Sequence, residues 1–442
     1  MWGPLAVMAL VIGSAPVAVS PLRDAALRGT FPDAVPAQPL GYLLGAPLFG
    51  VWDTLTLLTV SQHYAVLGTL VLLYVAWRLV AGRRPVAGAR PVAARPPSLT
   101  RHLALELLRA LAALTALLAF YAAAALIPRP MTAIRLTSPD LLAVNFHSHT
   151  NHSHDGWSLF TAARNRAWHE AGGFDAAYVT DHYTWAGVDE ALPANPARAG
   201  DGTVLLSGME VRLRGRHTNI LGDRSRYVFA LDSTWHHLDP DSIAAATERG
   251  APPPTMLYAL PGALDQIVPL GSPHGSPAGV VGVELSDGAP RGLEQGRSQR
   301  GEILALADSM DLALVAGTNV HGWGRTVPAW SVMRIPGWRE MSPDELGRAI
   351  EETLHRERRR AVTVVERRIP YHDGSAVALA ATVPVLAWEH FRALTLAERL
   401  SWLVWAALWM AVRARAGAAA GRGGRQGGSR ASAGAPPARG RR

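Results

Sequence analysis

Cysteine is absent from all 442 residues, which excludes a disulfide framework, a thiolate nucleophile and any zinc or iron-sulfur site built on sulfur. Lysine is absent too. All 43 basic side chains are arginines, and that uniformity carries no function by itself. Acidic residues are missing from two basic stretches: residues 82–102 hold five arginines and residues 413–442 hold eight, with no Asp or Glu in either. Charge of any kind is missing from residues 1–22, 54–77 and 110–127. The formal charge is +8, yet residues 140–400 carry 24 Arg against 31 Asp plus Glu, a net of −7. The positive excess therefore lies outside the middle of the chain, and specific nucleic-acid binding is not expected. Arginine blocks bordering apolar runs point to a membrane.

A bilayer core takes roughly 20 apolar helical residues. Residues 54–77 and 110–127 meet that length, with Arg78 and Arg109 placed to snorkel at their ends. Residues 1–22 lack the positive n-region of a signal peptide and are expected as an uncleaved first span. Residues 34–52 contain six Gly or Pro and read as an interfacial segment. The short apolar run 401–412, with three tryptophans, is either a tilted fourth span or an interfacial helix. The Gly-, Ala- and Arg-rich tail at 414–442 is expected to be disordered. Five arginines between the second and third spans place that loop in the cytoplasm. The expected protein is thus multi-pass in the cell membrane, with its acidic middle extracytoplasmic and its basic tail cytoplasmic. The divisions are a membrane region at 1–128, a hydrolase-like domain at 136–384, a membrane or interfacial helix at 385–413, and the tail.

Short aliphatic runs alternate with polar helical stretches from 136 to 384, the pattern of an α/β domain with a largely parallel sheet, for which a barrel is the natural form. Ionisable residues fall where strands end. His147 and His149 follow LLAVNF, Asp181 and His182 follow AAYVT, Glu210 follows VLLSGM, and Asn319 and His321 follow LALVAGT. Carboxyl ends of strands gather on one face, so segments distant in sequence can deliver imidazoles and carboxylates to one pocket. Imidazole nitrogen and carboxylate oxygen suit zinc, manganese or iron, and carboxylates such as Glu210 and Asp155 can bridge two cations. Each short motif alone is weak; their ordered recurrence after strands carries the reading.

From about 143 to 325 the chain resembles the PHP (polymerase and histidinol phosphatase) metal-dependent phosphoesterase family. The opening HxHT motif with its later Ser and Asp-Gly is matched by His147, His149, Thr150, Ser153, Asp155 and Gly156. The TDH motif is matched by Thr180, Asp181 and His182, GxE by Gly208 and Glu210, and the closing motif by Gly317 to His321. His217 in HTNILG and His274 in SPHG take the two remaining histidine positions. The resemblance implies a distorted (β/α)7 TIM-like barrel that binds two or three divalent ions. Its implied ligands are His147, His149, Asp155, His182, Glu210, His217, His274 and His321, with Asn319 where the family has an aspartate. Asp181 is implied as an orienting neighbour, and Asn145 departs from an aspartate that often precedes HxH. His152 and His154 read as loop histidines.

The implied activity is hydrolysis of a phosphate ester by a metal-activated water, on a phosphorylated small molecule or nucleotide. Two alternatives stay open: a metal-dependent hydrolase of another bond, and a noncatalytic membrane sensor whose centre has decayed at Asn319.

Overall fold

The structure, a computed structural model, describes residues 2–82, 99–213, 216–224, 254–264, 280–370 and 375–428. Twelve strands lie among them: β1 (Leu22–Asp24), β2 (Ala34–Ala37), β3 (Ala133–Leu136), β4 (Leu141–Asn145), β5 (Ala176–Val179), β6 (Val204–Leu213), β7 (Arg216–Leu221), β8 (Thr255–Tyr258), β9 (Val280–Ser286), β10 (Ala313–Ala316), β11 (Ala329–Arg334) and β12 (Thr363–Arg367). Ten form one strongly curled sheet in the order β1-β12-β11-β4-β5-β6-β7-β8-β9-β10, and β2 pairs with β3 apart from it. Strands β4, β5, β8, β9 and β10 are buried along their whole length. Continuous aliphatic runs such as LLAVN and ALVA suit strands covered on both faces. Helix Pro343–Glu357 packs outside the sheet. It starts on a capping box between Ser342 and Glu345 and buries Leu346, Ile350 and Leu354 at helical spacing.

The expected largely parallel sheet is corrected to a mixed one. Pairs β4/β5, β5/β6, β8/β9 and β9/β10 are parallel, whereas β6/β7, β7/β8, β11/β4, β11/β12 and β1/β12 are antiparallel. Only two residues separate β6 from β7. So short a connection cannot return a chain to a parallel neighbour, and the pair must be a hairpin. Where a distorted (β/α)7 barrel was implied, the strongly curled mixed sheet forms a half-barrel. β11 occupies the flank of β4 through Ser331↔Val144, and β4 meets β10 only at the mouth, through the bridge Ser148↔Val320. β1, from the N-terminal region, adds to β12, and Arg23 and Arg300 both pair with the buried Glu366.

Helices Val60–Gly82 and Leu99–Leu126 are long and apolar enough to cross a membrane. They run antiparallel: His63 meets Tyr121 near the sheet and Arg78 meets Glu106 at the far end. Their leucines, Leu72, Leu107 and Leu118 among them, are exposed on every side, a surface that water does not favour. Arg78 and Arg109 share Glu106 within the hairpin, where snorkelling of each alone was expected. The first apolar helix, Trp2–Gly13, has 12 residues, about 18 Å, which is short of a bilayer core of about 30 Å. It packs instead on the C-terminal helices, where Arg399 caps the Val11 carbonyl at 2.7 Å. Helix Ala376–Arg392 crosses the expected boundary at 384, and helix Leu396–Gly428 holds the run 401–412. That helix continues to Gly428, into the expected disordered tail, through a stretch with six glycines and five alanines whose helix propensity is low; residues 429–442 lie outside the described residues.

Candidate metal centre

The mouth of the curled sheet is organised by Asn145, the last residue of β4. Its Oδ1 accepts from the Thr318 amide at 2.9 Å, and its Nδ2 donates to the His147 carbonyl at 3.1 Å. An aspartate could not donate there, which gives the departure at Asn145 a physical reason. The turn after β10 then lies against HxH: Asn319 N donates to His147 O at 2.8 Å and His149 N to Val320 O at 3.0 Å. On the other side a bridge pairs His182 with Glu210. Backbone pairing past the strand ends thus draws three motifs onto one rim.

Glu210 is the centre of the cluster. Its Oε2 lies 2.9 Å from His147 Nε2, 3.2 Å from His149 Nε2 and 3.5 Å from His182 Nδ1, and its Oε1 meets His217 Nδ1. Asp155, half exposed at the mouth, joins His182 Nε2 at 3.4 Å and His321 Nδ1 at 3.3 Å. Ring centroids of His149 and His321 stack 4.1 Å apart. Of the expected ligands, His147, His149, Asp155, His182, Glu210, His217 and His321 are brought together. His274 lies outside the described residues.

The donor set fits a cation. Ligands about 2.0–2.2 Å from a shared ion stand roughly 3.0–3.5 Å from one another in tetrahedral or octahedral arrangements. The His147, His149 and Glu210 atoms are separated by 3.1, 2.9 and 3.2 Å, and the trio is buried. Further triads, His149/Asp155/His321 and His182/Glu210/His217, share members with the first. Burial leaves His149 Nδ1 without a hydrogen-bond partner and pushes the ring's pKa down to about 3, so it stays neutral with one nitrogen lone pair available. Burial disfavours charge on His147 as well, but Glu210 and Glu284 outweigh it and raise that pKa. Burial raises the Glu210 carboxyl, and the facing imidazoles, His147 first, reverse this and hold it ionised.

Two acids escaped the sequence reading. Glu284 Oε1 takes His147 Nδ1 at 2.9 Å, while its Oε2 accepts from Leu260 N at 2.7 Å. Asp287 lies 3.6 Å from the same His147 nitrogen. Both sit at the carboxyl end of β9, in VELSDG, so the rule that found Glu210 would have found them. Glu284 fixes which His147 nitrogen faces the donors, as carboxylates do for metal-binding histidines. Glu284→Gln is therefore expected to weaken metal affinity 10- to 100-fold, roughly the range for such partners, with the fold retained; unchanged affinity in a chelator competition would remove the role.

Asn319 links rather than converges. Its Nδ2 donates to Asp287 Oδ2 at 3.0 Å and its Oδ1 meets His321 Nε2 at 2.8 Å. Burial, then the charge of Glu284, raise the Asp287 pKa, so the Asn319 amide serves a carboxyl that lacks water. An aspartate here would replace the donor by an acceptor and add a third carboxyl beside Asp287 and Glu284. Asn319→Asp is expected to destabilise the metal-free chain by about 1–3 kcal/mol, read from denaturant midpoints. Asp181 accepts from Thr150 N and Oγ1, both at 2.6 Å, and stands 4.0 Å from His149 Nδ1. His152 pairs with Glu190 at the surface, whereas His154 lies at the mouth, 4.8 Å from the His182 ring.

No protein-family model matches the chain, and no curated protein does. Solved structures show distant likeness. PsfC from Pseudomonas syringae has TM-score 0.37 and 15% identity over 56% of this chain and 96% of that one. A two-domain protein from Bacteroides vulgatus, described as containing a predicted PHP-like metal-dependent phosphoesterase, has TM-score 0.32 and 15% identity over 52% of this chain and 66% of that one. The lesion-specific endonuclease PfuEndoQ from Pyrococcus furiosus has TM-score 0.35 and 15% identity over 48% and 56%. At these TM-scores the likenesses carry no argument about chemistry, which rests on this chain's own side chains.

Proposed function

We propose that the chain is a membrane-anchored, metal-dependent phosphoesterase. The observation that carries this reading is the convergence of His147, His149 and Glu210 at metal-ligand spacing in a buried mouth, with neighbouring donors able to hold a second or third cation. Bound cations supply Lewis acidity toward phosphoryl oxygens and lower the pKa of water. The chain's residues do the rest. Glu284 fixes the His147 ring, and Asp155 orients His182 and His321. Arg212, which donates through Nε to His217 at 3.1 Å, offers the phosphate a guanidinium. In hydrolysis a water oxygen forms a bond to phosphorus as the ester P–O bond breaks. The leaving oxygen keeps the electron pair and takes a proton, for which His154, an exposed imidazole 4.8 Å from the His182 ring, is placed at the mouth. The two apolar helices supply the anchor.

The test is metal content and turnover of the purified chain. At least one equivalent of zinc, manganese or iron is expected, with hydrolysis of phosphate esters that chelation abolishes. A metal-loaded chain that cleaves carboxylic esters or amides and no phosphate ester would overturn the proposal.

A further inference from the structure

Both apolar helices are fastened to the site's own face of the sheet. At the end of helix Leu99–Leu126, the Ala125 carbonyl accepts from Gly324 N at 2.8 Å, and Gly324 is three residues past His321. Arg129, just beyond that helix, donates to Ala124 O at 2.6 Å and to Thr326 Oγ1 at 3.1 Å. In the first turn of helix Val60–Gly82, Ser61 donates through N and Oγ to Glu294 at 2.9 and 2.6 Å. Glu294 lies on helix Pro290–Ser298, which begins three residues after Asp287. The helix that follows β9 and the loop that follows β10 are thus the surfaces on which the hairpin stands.

Three residues span at most about 11 Å, which bounds the Cα distance from Gly324, bonded to the helix end, to His321. The headgroup layer on each side of a bilayer core is about 5–7 Å thick. With Leu126 at the hydrocarbon edge, that bound puts the His321 end of the site close to the depth of lipid phosphates. Its rim suits that depth. Trp157 and Trp323 stack with centroids 5.4 Å apart, and Trp157 N donates to His321 O at 2.9 Å. Trp323 is 48% and Leu159 52% exposed, and Arg164 donates to Leu159 O at 2.8 Å. Tryptophans with apolar and arginine neighbours characterise membrane–water interfaces.

We propose that the substrate is the phosphoester headgroup of a lipid in the same bilayer that holds the hairpin, an inference that rests on the phosphoesterase reading above. Trp157, Trp323 and Leu159 enter the interface beside the acyl chains, and the headgroup phosphate reaches the donors without the lipid leaving the membrane. Hydrolysis of phosphatidic acid releases diacylglycerol and inorganic phosphate, the water oxygen going to phosphorus and a proton to the glycerol oxygen.

The test uses the full chain, loaded with manganese, in phosphatidylcholine vesicles. Phosphatidic acid and phosphatidylglycerol in those vesicles are compared with glycerol 3-phosphate and glycerophosphoglycerol, the same headgroups without acyl chains. At least tenfold faster cleavage of one lipid, following its mole fraction in the surface rather than its bulk concentration, is expected. Cleavage of the soluble esters at an equal or higher rate overturns the lipid proposal and leaves the phosphoesterase standing; cleavage of neither overturns both. A second readout needs no activity. Because the chain lacks cysteine, Leu159→Cys accepts a single spin label, which is expected to relax with oxygen dissolved in the bilayer. A label that responds only to a water-soluble relaxant overturns the proposal.

Discussion

Glu210→Gln is expected to strip at least one metal equivalent from the chain and to lower turnover by about 1,000-fold or more, while far-UV circular dichroism stays unchanged. The amide keeps the carboxylate's shape, so packing at this buried position survives. What it loses is charge and an acceptor: Oε2 faces His147, His149 and His182, and Oε1 faces His217. Four imidazoles then surround a neutral group of which half is a donor, and any cation seated among them has lost its central anion. His147 retains only Glu284 and Asp287 nearby, both on the side of the ring away from the donors. Metal analysis and phosphate release on the same preparation check this. Retained stoichiometry with turnover within tenfold of the parent would show that Glu210 is not the hub of the centre.

Much of the site was legible because its signal is local. HxH, TDH and GTNVH each follow an aliphatic run that ends a strand, and a strand's end needs only a few residues to declare itself; GME also follows such a run but lies inside β6, which continues to Leu213. Glu284 and Asp287 were equally local and were passed over because no histidine marks them. The role of Asn145 and Asn319 was not legible at all. An amide's two ends find partners across the sheet, Thr318 for one and Asp287 for the other, and spacing along the chain says nothing of that. For the fold, alternation of strands and helices revealed the α/β class. The direction of each strand is set by connection length, and the two-residue separation of β6 from β7 was hidden inside what read as two separate strands. The edge strand β1 was obscured because three residues between apolar segments carry too little pattern to count.

Asp53→Ala is expected to be the most destabilising single change away from the donors, at about 3–5 kcal/mol, the range for breaking a buried ion pair from one side. Asp53 is 1% exposed. Its Oδ1 takes Arg129 Nη2 at 3.0 Å and Thr326 Oγ1 at 2.8 Å, and its Oδ2 takes Arg367 Nη1 at 2.8 Å and Tyr42 Oη at 3.1 Å. One carboxylate therefore joins a helix before the hairpin, the segment after it, the loop past His321 and the end of β12. Alanine leaves the buried Arg129 and the partly buried Arg367 without the anion they share, and removes four hydrogen bonds at once. For a domain of this size the loss corresponds to a fall in Tm of roughly 6–20 °C, read by thermal unfolding in detergent. Asp53→Asn, which keeps one acceptor for the arginines, should fall between alanine and the parent. A Tm within 2 °C of the parent for the alanine variant, about the smallest shift worth 1 kcal/mol here, would mean that solvent reaches Arg129 and Arg367. The hairpin would then be held to the metal-bearing face by packing and backbone bonds, such as Gly324 to Ala125, and not by this charge cluster.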